Sequence, residues 1–127
     1  MTFRPLSRAL TLLLLVPLAP AVTIAATIDL DWSIGTHHGT VVITQGDTVR
    51  WTWQDNFAHT VTANGGQFNS GVLVGLGTQY SFTFNAAGAF PYFCGVHGAA
   101  NMDGTIQVDP PTSVESSSWG GIKALYR

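Results

Sequence analysis

The sequence predicts an all-β chain, a Greek-key β-sandwich of about seven to eight strands. Three observations lead there. From residue 27 onward, short runs of alternating apolar and polar residues recur, each closed by Gly, Asn, Asp or Pro, the pattern of half-buried strands joined by turns. The same region is rich in Val, Thr, Phe and Trp and poor in charge, which suits pleated, partly buried surfaces. No run is long and polar enough to form an amphipathic helix. Strands at this spacing are best buried as two sheets packed face to face.

The elements follow in order. Residues 1–26 carry Arg4 and Arg8, then the apolar run "ALTLLLLVPLAPAVTIAA" with small residues at its end, the layout of a secretory signal peptide. Pro17 and Pro20 interrupt the run, which argues against a membrane anchor. The two arginines are not adjacent, so the twin-arginine export signature is absent. Without this leader the chain keeps three basic residues against all seven acids, a net charge of −4 with neutral histidines. So few basic residues offer no footprint for nucleic acid. After signal removal no stable membrane span is expected, and the domain is expected to be a monomer.

Residues 27–109 form the domain. "TIDLDWSI" (27–34) is a first strand, and "GTHHG" is a turn that leaves His37 and His38 as exposed loop histidines. "TVVIT" (40–44) and "TVRWTWQD" (48–55) follow, the latter placing Val49, Trp51 and Trp53 on one face as core. "AHTVTA" (58–63) reads as one short strand, and "NGGQFNSGVLVGLG" (64–77) as a Gly-rich connection. "TQYSFTFN" (78–85) turns Tyr80, Phe82 and Phe84 inward, and "FPYFC" (90–94) and "GTIQVD" (104–109) complete the set. Residues 110–127 read as a Pro- and Ser-rich linker and a C-terminal tail, "WGGIKALYR". The tail is either a frayed terminus or a sorting or recognition tag.

The stretch "YFCGVHGAANMDG" (92–104) holds the one cysteine and the one methionine beyond Met1. A lone exported thiol is a dimer link, a reactive group, a buried filler or a metal ligand. Cys94, His97 and Met102 are spaced C-x2-H-x4-M between two strands. Thiolate, imidazole and thioether are a soft donor set, and Cys with two His and a weak axial Met is the arrangement of a type 1 copper site. The second imidazole must come from elsewhere. His59, 35 residues upstream at the start of a strand, supplies it. Zinc would accept the same nitrogen and sulfur donors, but Met is a poor ligand for it.

The order of motifs over residues 28–109 resembles the plastocyanin-type cupredoxins. "QGDTVRWTW" resembles that family's Gly turn and strand before the first ligand, and "FAHTV" the segment holding it. "FNSGVLVGLGTQYSFTF", "FPYFC" and "MDGTIQV" resemble its connection, its approach to the cysteine and its exit from the methionine. The resemblance implies one copper ion on His59, Cys94, His97 and Met102, with the four-residue His-to-Met gap of plastocyanins rather than the shorter gap of amicyanins. It further implies that His97 emerges through an apolar patch (Phe57, Val96, Gly98, Ala99, Ala100) where transient redox partners dock. Acidic partner-binding patches are not evident. Two positions depart from the family: Thr60 stands where Asn is common and Val96 where Pro is common. The freed Val96 N–H is expected to donate to the Cys94 sulfur.

The expected function is an exported, periplasmic or extracellular carrier of single electrons, not an enzyme. The alternative is copper delivery or sequestration without redox turnover. A multicopper oxidase needs further ligand clusters, and a binuclear copper site a second cysteine; the chain has neither.

Overall fold

The fold is described by a computed structural model covering residues 11–17 and 24–112. Most of the leader reading (1–26) and of the linker and tail reading (110–127) therefore lies outside the described residues. Within them the chain forms nine strands: β1 (Thr27–Trp32), β2 (His37–Thr44), β3 (Thr48–Trp53), β4 (Ala58–His59), β5 (Thr62–Ala63), β6 (Leu73–Val74), β7 (Gln79–Thr83), β8 (Gly88–Phe93) and β9 (Asp103–Asp109). The all-β sandwich predicted from the alternation is present. No helix among the described residues is long and apolar enough to cross a membrane.

One sheet has the order β1-β3-β7 and the other β2-β9-β8-β5, while β4 and β6 form a separate two-stranded ribbon. β1 runs parallel to β3 and β2 parallel to β9; the remaining pairings are antiparallel. Period-2 alternation turns one face of each sheet inward. The first sheet contributes Trp32, Val49, Trp51 and Trp53, all fully buried, and the second Ile43, Tyr92, Ile106 and Val108. The Trp51 indole packs edge-on against Tyr92, with centroids 5.2 Å apart, and parallel to Tyr80. Phe68, Phe82 and Phe84 continue the aromatic layer. Truncating one of the buried indoles to Ala would cost on the order of 3–5 kcal/mol. The two Trp of β3 are core residues, as the alternation required.

Chain entry and exit share one pole. Asp47 accepts hydrogen bonds from the N–H groups of Ala26 (2.8 Å) and Thr44 (2.9 Å), and the Gln45 N–H donates to the Asp109 carbonyl (2.8 Å). The β4 segment and the loop between β8 and β9 lie at the opposite strand ends, which makes that pole available for a site.

Three expectations need correction. Residues 58–63 are two strands in different sheets rather than one. Between them the N–H of Thr60 points to the Cys94 sulfur and that of Val61 donates to Ser70 Oγ (2.8 Å), so neither joins a continuous ladder. The Gly-rich connection contains β6, paired with β4 through Ala58↔Val74 and His59↔Leu73. His37 and His38 are not turn residues: the turn is at 33–36 and both histidines belong to β2. The β2–β9 register slips between His37 and Thr40, where Gly39 takes a φ of 60°. That irregularity hid the start of the strand from a period-2 reading.

Gly104 is paired with Tyr92 across β8 and β9, and a Cβ there would lie 2.6 Å from Tyr92 Cζ. Glycine is required at this position for space. Gly104→Ala is expected to destabilise the domain by about 1–3 kcal/mol, read as a lower urea midpoint with an unchanged m-value.

Candidate metal centre

His59 ends β4 and is fully buried, because β6 covers one side and the Trp53 ring, 5.9 Å between centroids, covers another. The Trp53 indole N–H donates to the Leu73 carbonyl (3.1 Å) and so fixes the strand opposite His59. Cys94 follows β8 and is fully buried as well. His97, three residues on, is partly exposed.

The loop from Cys94 to Met102 folds on itself. The Gly98 N–H donates to the Cys94 carbonyl (2.8 Å), and the Met102 N–H to the Gly98 carbonyl (3.1 Å). The Asn101 side-chain amide donates to the His97 carbonyl (2.7 Å). Gly98 has a φ of 80°, a left-handed conformation open to glycine at little cost. The loop closes where the Cys94 N–H donates to the Met102 carbonyl (3.1 Å). Met102 thereby lies beside Cys94 with its side chain fully buried.

The three donors converge. His59 Nδ1 and His97 Nδ1 are 3.2 Å apart, and Cys94 Sγ is 3.9 Å from the first and 3.6 Å from the second. Among the described residues this is the one group of three or more His, Cys, Asp or Glu donors that could hold an ion. A triangle of these sides suits three donors each about 2.0–2.3 Å from one centre. Two imidazoles and a thiolate are donors that copper accepts readily, and the residues fit that metal.

The orientation of His59 comes from a residue that motif reading passed over. Asp55 Oδ1 bonds His59 Nε2 at 2.7 Å, which assigns the ring hydrogen to Nε2 and leaves the Nδ1 lone pair aimed at the triangle. Asp55 is itself held by the N–H groups of Phe57 (2.9 Å) and Ile34 (3.2 Å). Partial burial opposes its ionisation, but the bonds from His59, Phe57 and Ile34 outweigh it, and its pKa lies below the usual carboxylate range. The i, i+4 spacing of Asp55 and His59 in "DNFAH" was the available signal.

Thr60 answers the question its sequence position raised. Its hydroxyl accepts the Gly95 N–H at 2.6 Å and so ties the His59 segment to the Cys94 loop. The backbone N–H that reaches the Cys94 sulfur is also that of Thr60, at 3.4 Å. Among the described residues no bond runs from the Val96 N–H to the sulfur, so that expectation is corrected. Val96 instead lies at the surface, 46% exposed.

A β-sandwich that gathers two imidazole nitrogens and a thiolate at one pole defines a small copper protein of cupredoxin type. Residues 35–109 match the family described as copper binding proteins, plastocyanin/azurin family, and the chain belongs to that family. It is 35% identical over 78 residues to plastocyanin from Scenedesmus fuscus, a match spanning 54% of this chain and 80% of that one. Among solved structures it is similar to a Cu(I) form of an amicyanin mutant, with 26% identity and a TM-score of 0.51. That similarity covers 65% of this chain and 82% of the amicyanin. It is also similar to a copper-containing nitrite reductase from Thermus scotoductus, with 25% identity and a TM-score of 0.54. There the overlap covers 70% of this chain but 23% of the reductase.

Asp55→Ala should lower copper affinity by roughly 10–100-fold by releasing His59 Nε2, measured by competition with a chelator of known affinity. Asp55→Asn keeps an acceptor oxygen and should recover part of the loss. Equal affinity for all three proteins would show that the carboxylate does not set the imidazole.

Proposed function

We propose that the protein is an exported carrier of single electrons, with one copper ion held by His59, Cys94 and His97 and by Met102 as a weak axial ligand. The observation that carries this reading is the burial of the donor triangle: His59 and Cys94 are sealed, and His97 alone of the three reaches the surface. Copper supplies a one-electron couple there, and a mixed nitrogen and sulfur donor set lies between the preferences of its two oxidation states. With the protein donors converging on one another, a position for substrate is not needed and catalysis at the metal is not proposed. The role of the chain is to hold the donors in place whatever the charge of the site. Asp55, Thr60 and the closed 94–102 loop each restrain a donor.

His97 gives a redox partner a conjugated contact with the donor set. The surface proposed for docking takes exposed apolar groups from the segments that carry the donors: Val96 and Ala99 on the His97 loop, and Phe57 before β4. Leu76 adds to this surface, since its N–H donates to Asn56 Oδ1 (3.2 Å) beside Phe57. Asp55 is turned inward to His59, and Asp103 is paired with His37. A small apolar face of this kind supports brief docking. We place the mature protein in the periplasm or outside the cell, as a monomer, on the strength of the leader-like residues 1–26.

Copper-loaded, oxidised protein should show intense visible thiolate-to-copper charge transfer. Cys94→Ser should abolish the colour, while Met102→Leu should keep it and shift the reduction potential. Copper bound without colour, and without reversible one-electron voltammetry, would instead indicate delivery or sequestration.

A further inference from the structure

His38 is one of the two histidines the copper reading leaves unused, and its half-buried ring packs against the core. Its ring stacks on Trp32, with centroids 5.6 Å apart and planes inclined by 22°. Its Nδ1 is 2.7 Å from the Tyr92 hydroxyl, and the Tyr92 and Trp32 rings also pack together. Trp32 is fully buried and Tyr92 is 1% exposed. The Trp32 indole N–H donates to the Thr60 carbonyl (3.1 Å), and Thr60 supplies both the N–H at the Cys94 sulfur and the hydroxyl that receives the Gly95 N–H. A continuous set of packed and hydrogen-bonded groups therefore runs from a half-buried imidazole on β2 to the sulfur.

We infer that His38 is a positioning residue for the copper centre: through Tyr92 and Trp32 it fixes Thr60, so that uptake of one proton by His38 loosens the N–H bond at the Cys94 sulfur. The inference rests on the copper centre described above and deepens the electron-carrier reading.

The hydrogen-bond inventory explains the coupling. In the neutral tautomer that carries its hydrogen on Nε2, the His38 Nδ1 lone pair accepts the Tyr92 O–H. Once charged, both ring nitrogens are donors and Nδ1 must donate to the Tyr92 oxygen. The phenolic hydrogen then needs a new acceptor, yet the indole nitrogens near it are donors. That of Trp32 is committed to Thr60, and that of Trp51 can donate to the Tyr92 oxygen but cannot accept from it. Leaving a buried hydroxyl unsatisfied is unfavourable, and the strain is relieved if His38 withdraws from the stack. Trp32 then loses its cover, and the grip on Thr60 weakens.

The charged and titratable groups that face His38 come from three neighbouring strands, the carboxylates of Asp31 on β1 and Asp103 on β9 and the neutral phenol of Tyr92 on β8, with His37 beside it on β2. Burial disfavours the charged imidazole and outweighs the opposing pull of Asp31 and Asp103, so its pKa lies below the ordinary 6.5. The fold binds this proton less readily than the unfolded chain does. Stability from the neutral ring is thus complete above pH 6.5 and is lost as the pH falls towards the folded pKa.

The sign of the response separates this coupling from simple charge. A bare positive charge near the metal raises the reduction potential. Loss of an N–H donor at the thiolate lowers it, because the sulfur then returns more charge to the metal. Two measurements test the inference. In metal-free protein, the Thr60 amide shift should titrate together with the His38 ring in NMR; a Thr60 amide that stays still would overturn the coupling whether or not the protein carries electrons. In copper-loaded protein, the wild type should show a step in potential at the His38 pKa, moving downward on acidification. His38→Gln, which keeps an acceptor for Tyr92 but does not titrate, should hold the alkaline value with the step lost. His38→Ala, which removes both the stack and the acceptor, should sit at the acid value throughout. A step that persists in both variants, or one that moves upward, would sink the proposal.

Discussion

The site depends on one constraint: donors carried by separate strand ends must be held within 3.2–3.9 Å of one another. Two imidazole nitrogens and a sulfur do not gather in a buried space for their own sake, since lone pairs facing one another without a cation or proton repel. The surrounding structure supplies the restraint, and metal binding returns that free energy as stability of the fold. Thr60 is where the restraint is concentrated. It lies where the chain leaves the β4–β6 ribbon for the sheet containing β8, and each of its polar groups is engaged there. Its N–H faces the sulfur, its hydroxyl receives Gly95 and its carbonyl receives Trp32.

The core and the site share their residues. Trp53 packs on His59, Trp32 holds the Thr60 carbonyl, and Tyr92 lies on β8 two residues before Cys94, which follows that strand. Close-packed interiors transmit small displacements because they have no slack to absorb them. A change at Trp32 or Tyr92 therefore reaches the metal pole without passing through a ligand. The opposite pole carries the residues where the domain begins and ends, around Asp47 and Asp109.

Much of the fold was legible because strand patterning is local. Val49, Trp51 and Trp53 are on one face by the geometry of the pleat alone, whatever they pack against. The segment 58–63 shows the limit: its alternation is that of one strand, but nothing in six residues tells which neighbour each half will pair with. His37 and His38 show another, because a slip of register at Gly39 disguises the beginning of β2. At the site, Cys94, His97 and Met102 stood out since one short loop carries all three residues. Asp55 went unread, although it precedes His59 by four residues, because a carboxylate that orients a ring has no motif beyond that spacing.

By itself the sequence determined the all-β class and the copper chemistry, and it singled out His59, Cys94 and His97, which the fold brings together. Those follow from side-chain period and donor type, which are properties of residues. Only the tertiary structure decided that Thr60 and not Val96 approaches the sulfur, that Asp55 sets the His59 tautomer, and that His38 is a half-buried group tied to Tyr92. The first and the last depend on which groups are left free when strands from different sheets meet, and that is settled by packing between residues 28 to 54 apart in the chain.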